Sequence, residues 1–244
     1  MPSNEQYALM AGAAYASTRA VDNQIPAPEG WYRVDQRIDD TSGFEAYAFG
    51  NAPTLAASTE IVIAYAGTDP SDITGDWLAN AGLATGAGSD QLVQASRFYL
   101  DIQGGTSSSS TITLTGHSLG GGLAALVGVF FDVEAHTFDQ APFARSAQDS
   151  ALFPSSVAQD LRDDLAAQVD QNGNPVYSPE DLAALDQYLA LRDANGGIPA
   201  KRSGAGRNRC AWGTSRLTGR RRRLTVSICE TAALAFMAYL DDEP

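Results

Sequence analysis

The chain has 244 residues, 44% hydrophobic and 18% charged, which is enough apolar content for a core and excludes disordered and collagen-like classes. No apolar run approaches the roughly 18 residues of a membrane-spanning helix, so no transmembrane segment is expected. The net charge of −13 argues against a nucleic-acid partner, although it conceals a split: residues 1–200 carry 7 basic and 25 acidic side chains, residues 201–244 carry 9 and 4.

The opening stretch MPSNEQYALMAGAAYA has no basic residue before Arg19 and so lacks the charged start of a secretory signal. Tyr7, Met10, Ala11, Ala14 and Tyr15 recur at helical spacing behind Ser3 and Asn4, which can cap, and predict a packed first helix. Strands follow over 31–38 and 44–49, and then over 61–66, whose sequence IVIAYA is nearly all apolar. A short continuous run of that kind predicts an interior strand covered on both faces. A helical pattern occupies 76–84. Ser89 can cap another helix, with Leu92, Ala95, Tyr99 and Ile102 on one face and Gly104-Gly105 ending it.

Residues 111–115 (TITLT) read as a strand, and 119–131 as a helix apolar on nearly every side, hence central. A strand over 134–138 and helices over 156–169 and 179–193 complete the pattern. Strand–helix alternation with buried strands implies an α/β fold, a mainly parallel sheet wrapped by helices. The domain reading is one α/β domain over 1–200, followed by an atypical basic tail over 201–244 that ends in a helix.

Thr115-Gly116-His117-Ser118-Leu119-Gly120-Gly121-Gly122 sits where the TITLT strand meets the apolar helix. That is G-x-S-x-G in the strand–turn–helix context that gives the pattern its meaning. A serine on such a sharp turn needs neighbours with almost no side chain, and Gly116, Gly120 and Gly121 meet that need. The turn would expose the Ser118 hydroxyl as a nucleophile and aim the Leu119 N–H at developing negative charge. A second oxyanion donor is expected from the loop after an earlier strand, where Gly67-Thr68-Asp69 follows IVIAYA. Thr68 can offer its N–H and its hydroxyl, although an ordinary turn would look the same.

IVIAYAGTD, DWLAN, TLTGHSLGGGLAAL and HTFDQAPF, in this order over residues 5–143, resemble the lipase class 3 group of α/β-hydrolases. The likeness is closest to bacterial lipase-like domains that often occur in secreted, calcium-binding repeat proteins. The resemblance implies an α/β-hydrolase fold and an ester hydrolase acting on a lipid or other ester. It implies Ser118 as nucleophile and Thr68 with Leu119 as the oxyanion hole. It also suggests secretion without an N-terminal signal, a cytoplasmic protein being the alternative. The family's usual Arg before the oxyanion Gly is Ala66 here. The chemistry calls for no cofactor and no metal.

A serine hydrolase of this fold needs a His as base and an acid to orient it, in the chain order Ser, acid, His. The chain has two histidines, His117 inside the elbow and His136 within the next strand, and none later. The base is therefore unknown. Cys229 or Glu230 stands about where the resemblance would place it, just before an apolar helical pattern over 231–240. For the acid, Asp139 ends the His136 strand on the edge where the site should lie, with Asp170, Asp181 and Asp186 as later alternatives.

The tail KRSGAGRNRCAWGTSRLTGRRRR, residues 201–223, permits three readings: a basic arm for anionic lipid or nucleic acid, a solvated linker, or a segment read in a shifted frame. Cys210 and Cys229 lie in this region and could pair, but two cysteines make no framework. The functional expectation is a carboxylic-ester hydrolase of the lipase or esterase kind working through an acyl-enzyme. The alternative is a catalytically silent hydrolase-fold binding module, with nucleic-acid binding through the arginines as a weaker third.

Overall fold

Ser3 starts the first helix, α1 (Asn4–Ala13), with a capping box: its hydroxyl accepts the Gln6 N–H and the Gln6 side chain accepts the Ser3 N–H. Tyr7, Met10 and Ala11, spaced three and four apart, are buried against one face of a sheet. The computed structural model describes residues 1–17, 19–39, 42–67, 90–140 and 156–194, together with the backbone of 226–229. The helix expected over 76–84, residues 201–225 of the tail and the helix expected over 231–240 lie outside the described residues.

Among the described residues six strands lie side by side in sequence order: β1 (Tyr32–Asp39), β2 (Phe44–Gly50), β3 (Glu60–Tyr65), β4 (Thr111–His117), β5 (Ala135–Phe138) and β6 (Val226–Cys229). β1, β2 and β3 form an antiparallel meander, β3, β4 and β5 run parallel, and β6 returns antiparallel beside β5. The sheet is thus parallel at the strands that flank the nucleophile candidate and antiparallel at its margins. β6 comes from the segment set apart in the sequence as a tail, so the sheet draws on that segment for its edge.

β3 shows why IVIAYA is apolar throughout. Ile61, Ile63 and Tyr65 face the larger core, while Val62 and Ala64 face α1 with Tyr47, Phe49 and Phe138. The larger core is closed by α2 (Asp90–Gly105), α3 (Leu119–Phe131), α4 (Val157–Ala166) and α5 (Pro179–Ala194). Every residue of α3 except Val129 is buried, because the helix lies between the sheet and α2 and α5. Asp132 ends α3 in the left-handed region at φ 58°, and the Val133 N–H returns to the Gly128 carbonyl at 2.9 Å, which turns the chain directly into β5. An all-round apolar helix sandwiched between parallel strands and outer helices is the α/β arrangement that the strand–helix alternation predicted.

Candidate active site

The junction between β4 and α3 is a strained turn. Ser118 stands at φ 55°, ψ −125°, a conformation that costs a non-glycine residue about 1–3 kcal/mol and persists only where the surroundings over-determine it. They do so here. The Ser118 N–H donates to the Phe138 carbonyl at 3.1 Å, and the Ser118 carbonyl accepts the Gly122 N–H at 3.1 Å. Glycines supply the space: a Cβ on Gly116 would lie 2.3 Å from the Gly120 carbonyl oxygen, and one on Gly120 would lie 2.1 Å from that of Tyr65. The steric logic expected of the G-x-S-x-G turn is therefore present in the packing.

Ser118 is half-buried, and Leu119 follows it as the first residue of α3, where helical N–H groups have no partner within the helix. The loop leaving β3 passes close by. A Cβ on Gly67 would lie 3.3 Å from the Leu119 nitrogen, 3.0 Å from the His117 carbonyl oxygen and 2.6 Å from the Tyr15 hydroxyl. β3 thus delivers the chain to the elbow at the residue before Thr68, while Thr68 itself lies outside the described residues.

Of the four acid candidates, three have structural partners. Asp170 takes the N–H groups of Asn174 and Asn172 at 2.9 and 2.8 Å, which hold its carboxyl below the usual range. Asp181 accepts the Ser178 N–H at 2.8 Å at the start of α5, and Asp186 pairs with Arg162 at 2.9 Å. Asp139 alone of the four has no hydrogen-bond or ion-pair partner among the described residues. It is exposed, sits at φ 47° and directly follows Phe138, whose carbonyl receives the Ser118 N–H. The parallel register His117↔Phe138 brings Ser118 and Asp139 to the same edge of adjacent strands.

Neither histidine occupies the place of a late base. His136 is 6% exposed and its ring stacks on Tyr7 with centroids 3.7 Å apart. Its Nε2 stands 3.2 Å from a Glu134 oxygen, but neither ring nitrogen makes a well-aligned hydrogen bond. His117 is exposed, and its Nδ1 lies 3.3 Å from the Tyr15 hydroxyl. Cys229 lies on β6, where its backbone pairs with Ala135, and Glu230 lies outside the described residues.

Tyr15 carries a role that helical spacing alone did not reveal. It reads as one more apolar contact of the first helix, yet its hydroxyl also donates to the His117 carbonyl at 3.2 Å. Burial pushes its phenol above the ordinary value, opposed by the Gly67 N–H and by Arg19, whose guanidinium lies 5.3 Å from the ring centroid. Nearby, the buried Glu45 accepts the Ser17 N–H at 2.7 Å and the Tyr47 hydroxyl at 3.2 Å, tying the chain after Tyr15 to β2. Among the described residues no cluster of three or more His, Cys, Asp or Glu could hold a metal, and no helix is long and apolar enough to cross a membrane.

No curated protein matches the chain. Among solved structures it resembles a lipase from Rhizopus microsporus var. chinensis, at 17% identity and TM-score 0.33, over 51% of this chain and 48% of that one. It also resembles lipase II from Rhizopus niveus, at 15% identity and TM-score 0.33, over 51% of this chain and 52% of that one. The chain therefore matches about half the length of each fungal lipase, a likeness too distant to carry an argument. A family model described as a Tle-like phospholipase domain, phospholipase-like, matches residues 6–172, a span that holds most of α1, β1 to β5 and the whole elbow. By that match the chain belongs to the family of Tle-like phospholipase domains.

Proposed function

We propose that this protein hydrolyses carboxylic esters of lipids, phospholipids among them, through an acyl-enzyme on Ser118. The observation that carries the reading is the Ser118 backbone at φ 55°, ψ −125°, held between a parallel strand and a buried helix by packed glycines. Strain of that kind contributes nothing to a fold and is retained where it aims a reactive group. The family membership supports lipid esters as the substrate class.

In the proposed reaction the Ser118 oxygen forms a bond to the ester carbonyl carbon while its proton passes to a base. The carbonyl oxygen becomes an oxyanion, held by the Leu119 N–H and by Thr68 from the loop beyond Gly67. The C–O bond to the alcohol then breaks, the alcohol leaves with the proton, and water releases the acid from Ser118. Asp139 is proposed as the acid that orients or assists the base, since the register puts it on the edge that holds Ser118. Neither His117 nor His136 is assigned as the base. The proposed setting is secretion.

The test is hydrolysis of p-nitrophenyl butyrate, longer p-nitrophenyl esters and a phosphatidylcholine by wild type and by Ser118→Ala. The expected result is turnover in wild type and background in the variant. Rates equal in both and at background would instead identify a silent hydrolase-fold binding module.

A further inference from the structure

We propose that the Tyr15 hydroxyl is a positioning group for this reaction, joining the nucleophile elbow to the start of the loop that is to hold the oxyanion. The proposal rests on the reading of Ser118 as nucleophile and goes beyond it, because Tyr15 belongs to neither the elbow nor the triad pattern.

One phenol oxygen meets three groups. Its proton goes to the His117 carbonyl at 3.2 Å, its oxygen faces the His117 Nδ1 at 3.3 Å, and Gly67 packs so close that a Cβ there would lie 2.6 Å from it. With the His117 proton on Nδ1, the phenol donates to the carbonyl and accepts from the ring of the same residue. Two of these groups adjoin the machinery. The His117 carbonyl begins the peptide bond leading into the strained Ser118. Gly67 is the last residue before Thr68, and a Cβ there would lie 3.3 Å from the Leu119 nitrogen. The hydroxyl therefore sets the separation between the two backbone segments assigned to the oxyanion.

The ring itself is held from behind. Tyr15 is buried, and the chain two residues on is fixed by the Ser17 N–H on the Glu45 carboxylate at 2.7 Å. The close approach to Gly67 explains why a side chain there is excluded, since its Cβ would lie 2.6 Å from the Tyr15 oxygen. With the chain at Ser17 fixed to β2 and the hydroxyl set against the elbow and Gly67, Tyr15 ties the segment after α1 to the site without touching the reacting atoms.

The test is Tyr15→Phe, which keeps the ring and deletes the oxygen. A displacement near an ångström at a reacting centre costs about 10²-fold in rate, so a loss of roughly 10- to 100-fold in kcat with KM within about twofold is expected. The rate of covalent labelling by a fluorophosphonate, in which the serine oxygen bonds to phosphorus and fluoride leaves, should fall by a similar factor. Gly67→Ala, with the hydroxyl kept but crowded, should show the same kcat-weighted loss. Ser118→Ala separates the two levels of the argument. If wild type is unlabelled, or if Ser118→Ala is labelled and turns over as wild type does, the nucleophile reading fails and the positioning role with it. If Ser118→Ala is silent while Tyr15→Phe matches wild type in kcat and labelling, or loses only thermal stability, the positioning role alone is overturned.

Discussion

Replacing Gly120 with alanine tests the link between packing and the elbow. The added Cβ would lie 2.1 Å from the Tyr65 carbonyl oxygen and 2.7 Å from the Tyr65 and Ala66 carbonyl carbons. Carbon contacts are comfortable near about 3.5 Å, so α3 and β3 would have to part by ~1.4 Å. All the clashing atoms are backbone, and no side chain can swing aside. Overpacking a core costs about 1–3 kcal/mol, and a backbone-on-backbone clash belongs at the upper end. At roughly 2–4 °C per kcal/mol for a chain of this size, ~3 kcal/mol lowers the melting temperature by about 6–12 °C. The same separation moves Ser118 away from the oxyanion groups, and a displacement near an ångström lowers turnover about 10²-fold. Gly104→Ala is the control. It lies near the end of α2 with no atom within 4 Å of its added Cβ, and alanine is the better helix former by about 0.5–1 kcal/mol. Thermal melting by circular dichroism and ester hydrolysis, measured on both variants, decide the matter. A Gly120→Ala protein that melts and turns over like Gly104→Ala would refute the steric account of the elbow.

Phe130→Ala should cost about 3–5 kcal/mol by urea denaturation, because its fully buried ring packs on Tyr188 at 5.0 Å between α3 and α5. An alkaline limit is also expected. Burial pushes the phenols of Tyr7, Tyr99 and Tyr177 up to about 12, so the folded protein keeps protons that an unfolded chain releases near pH 10. That contribution is fully present below about pH 10 and is lost as the pH rises towards about 12. The urea midpoint should fall between those values, and Tyr7→Phe should flatten the decline. A midpoint independent of pH across that interval would contradict the assignment.

Much of the scaffold was legible because local and global signals agree. IVIAYA had to be an interior strand since both its faces are covered, and the helix after Ser118 had to be central since eleven of its neighbours in the same helix are buried with Leu119. The elbow was legible for a related reason, as glycines at 116, 120 and 121 mark a close approach of backbones that no other residue allows. Acid candidates were not separable by spacing. In the structure Asp181 and Asp186 are taken up by the cap of α5 and by Arg162, whereas the register of β4 and β5 leaves Asp139 at the Ser118 edge.

The sequence by itself determined the order of β1 to β5 and of α1 to α5, the strained serine between β4 and α3, and the absence of a histidine after His136, because periodicity, glycine spacing and residue counts are local properties of a chain. Only the tertiary structure decided that Tyr15 meets His117 and Gly67, that Glu45 holds Ser17, and that His136 is stacked beneath α1. Those contacts join residues from 28 to well over a hundred positions apart. Their polar ends produce no periodicity. They are set by where α1 lands on the sheet, which the apolar pattern requires to be buried without specifying what its hydroxyls will meet.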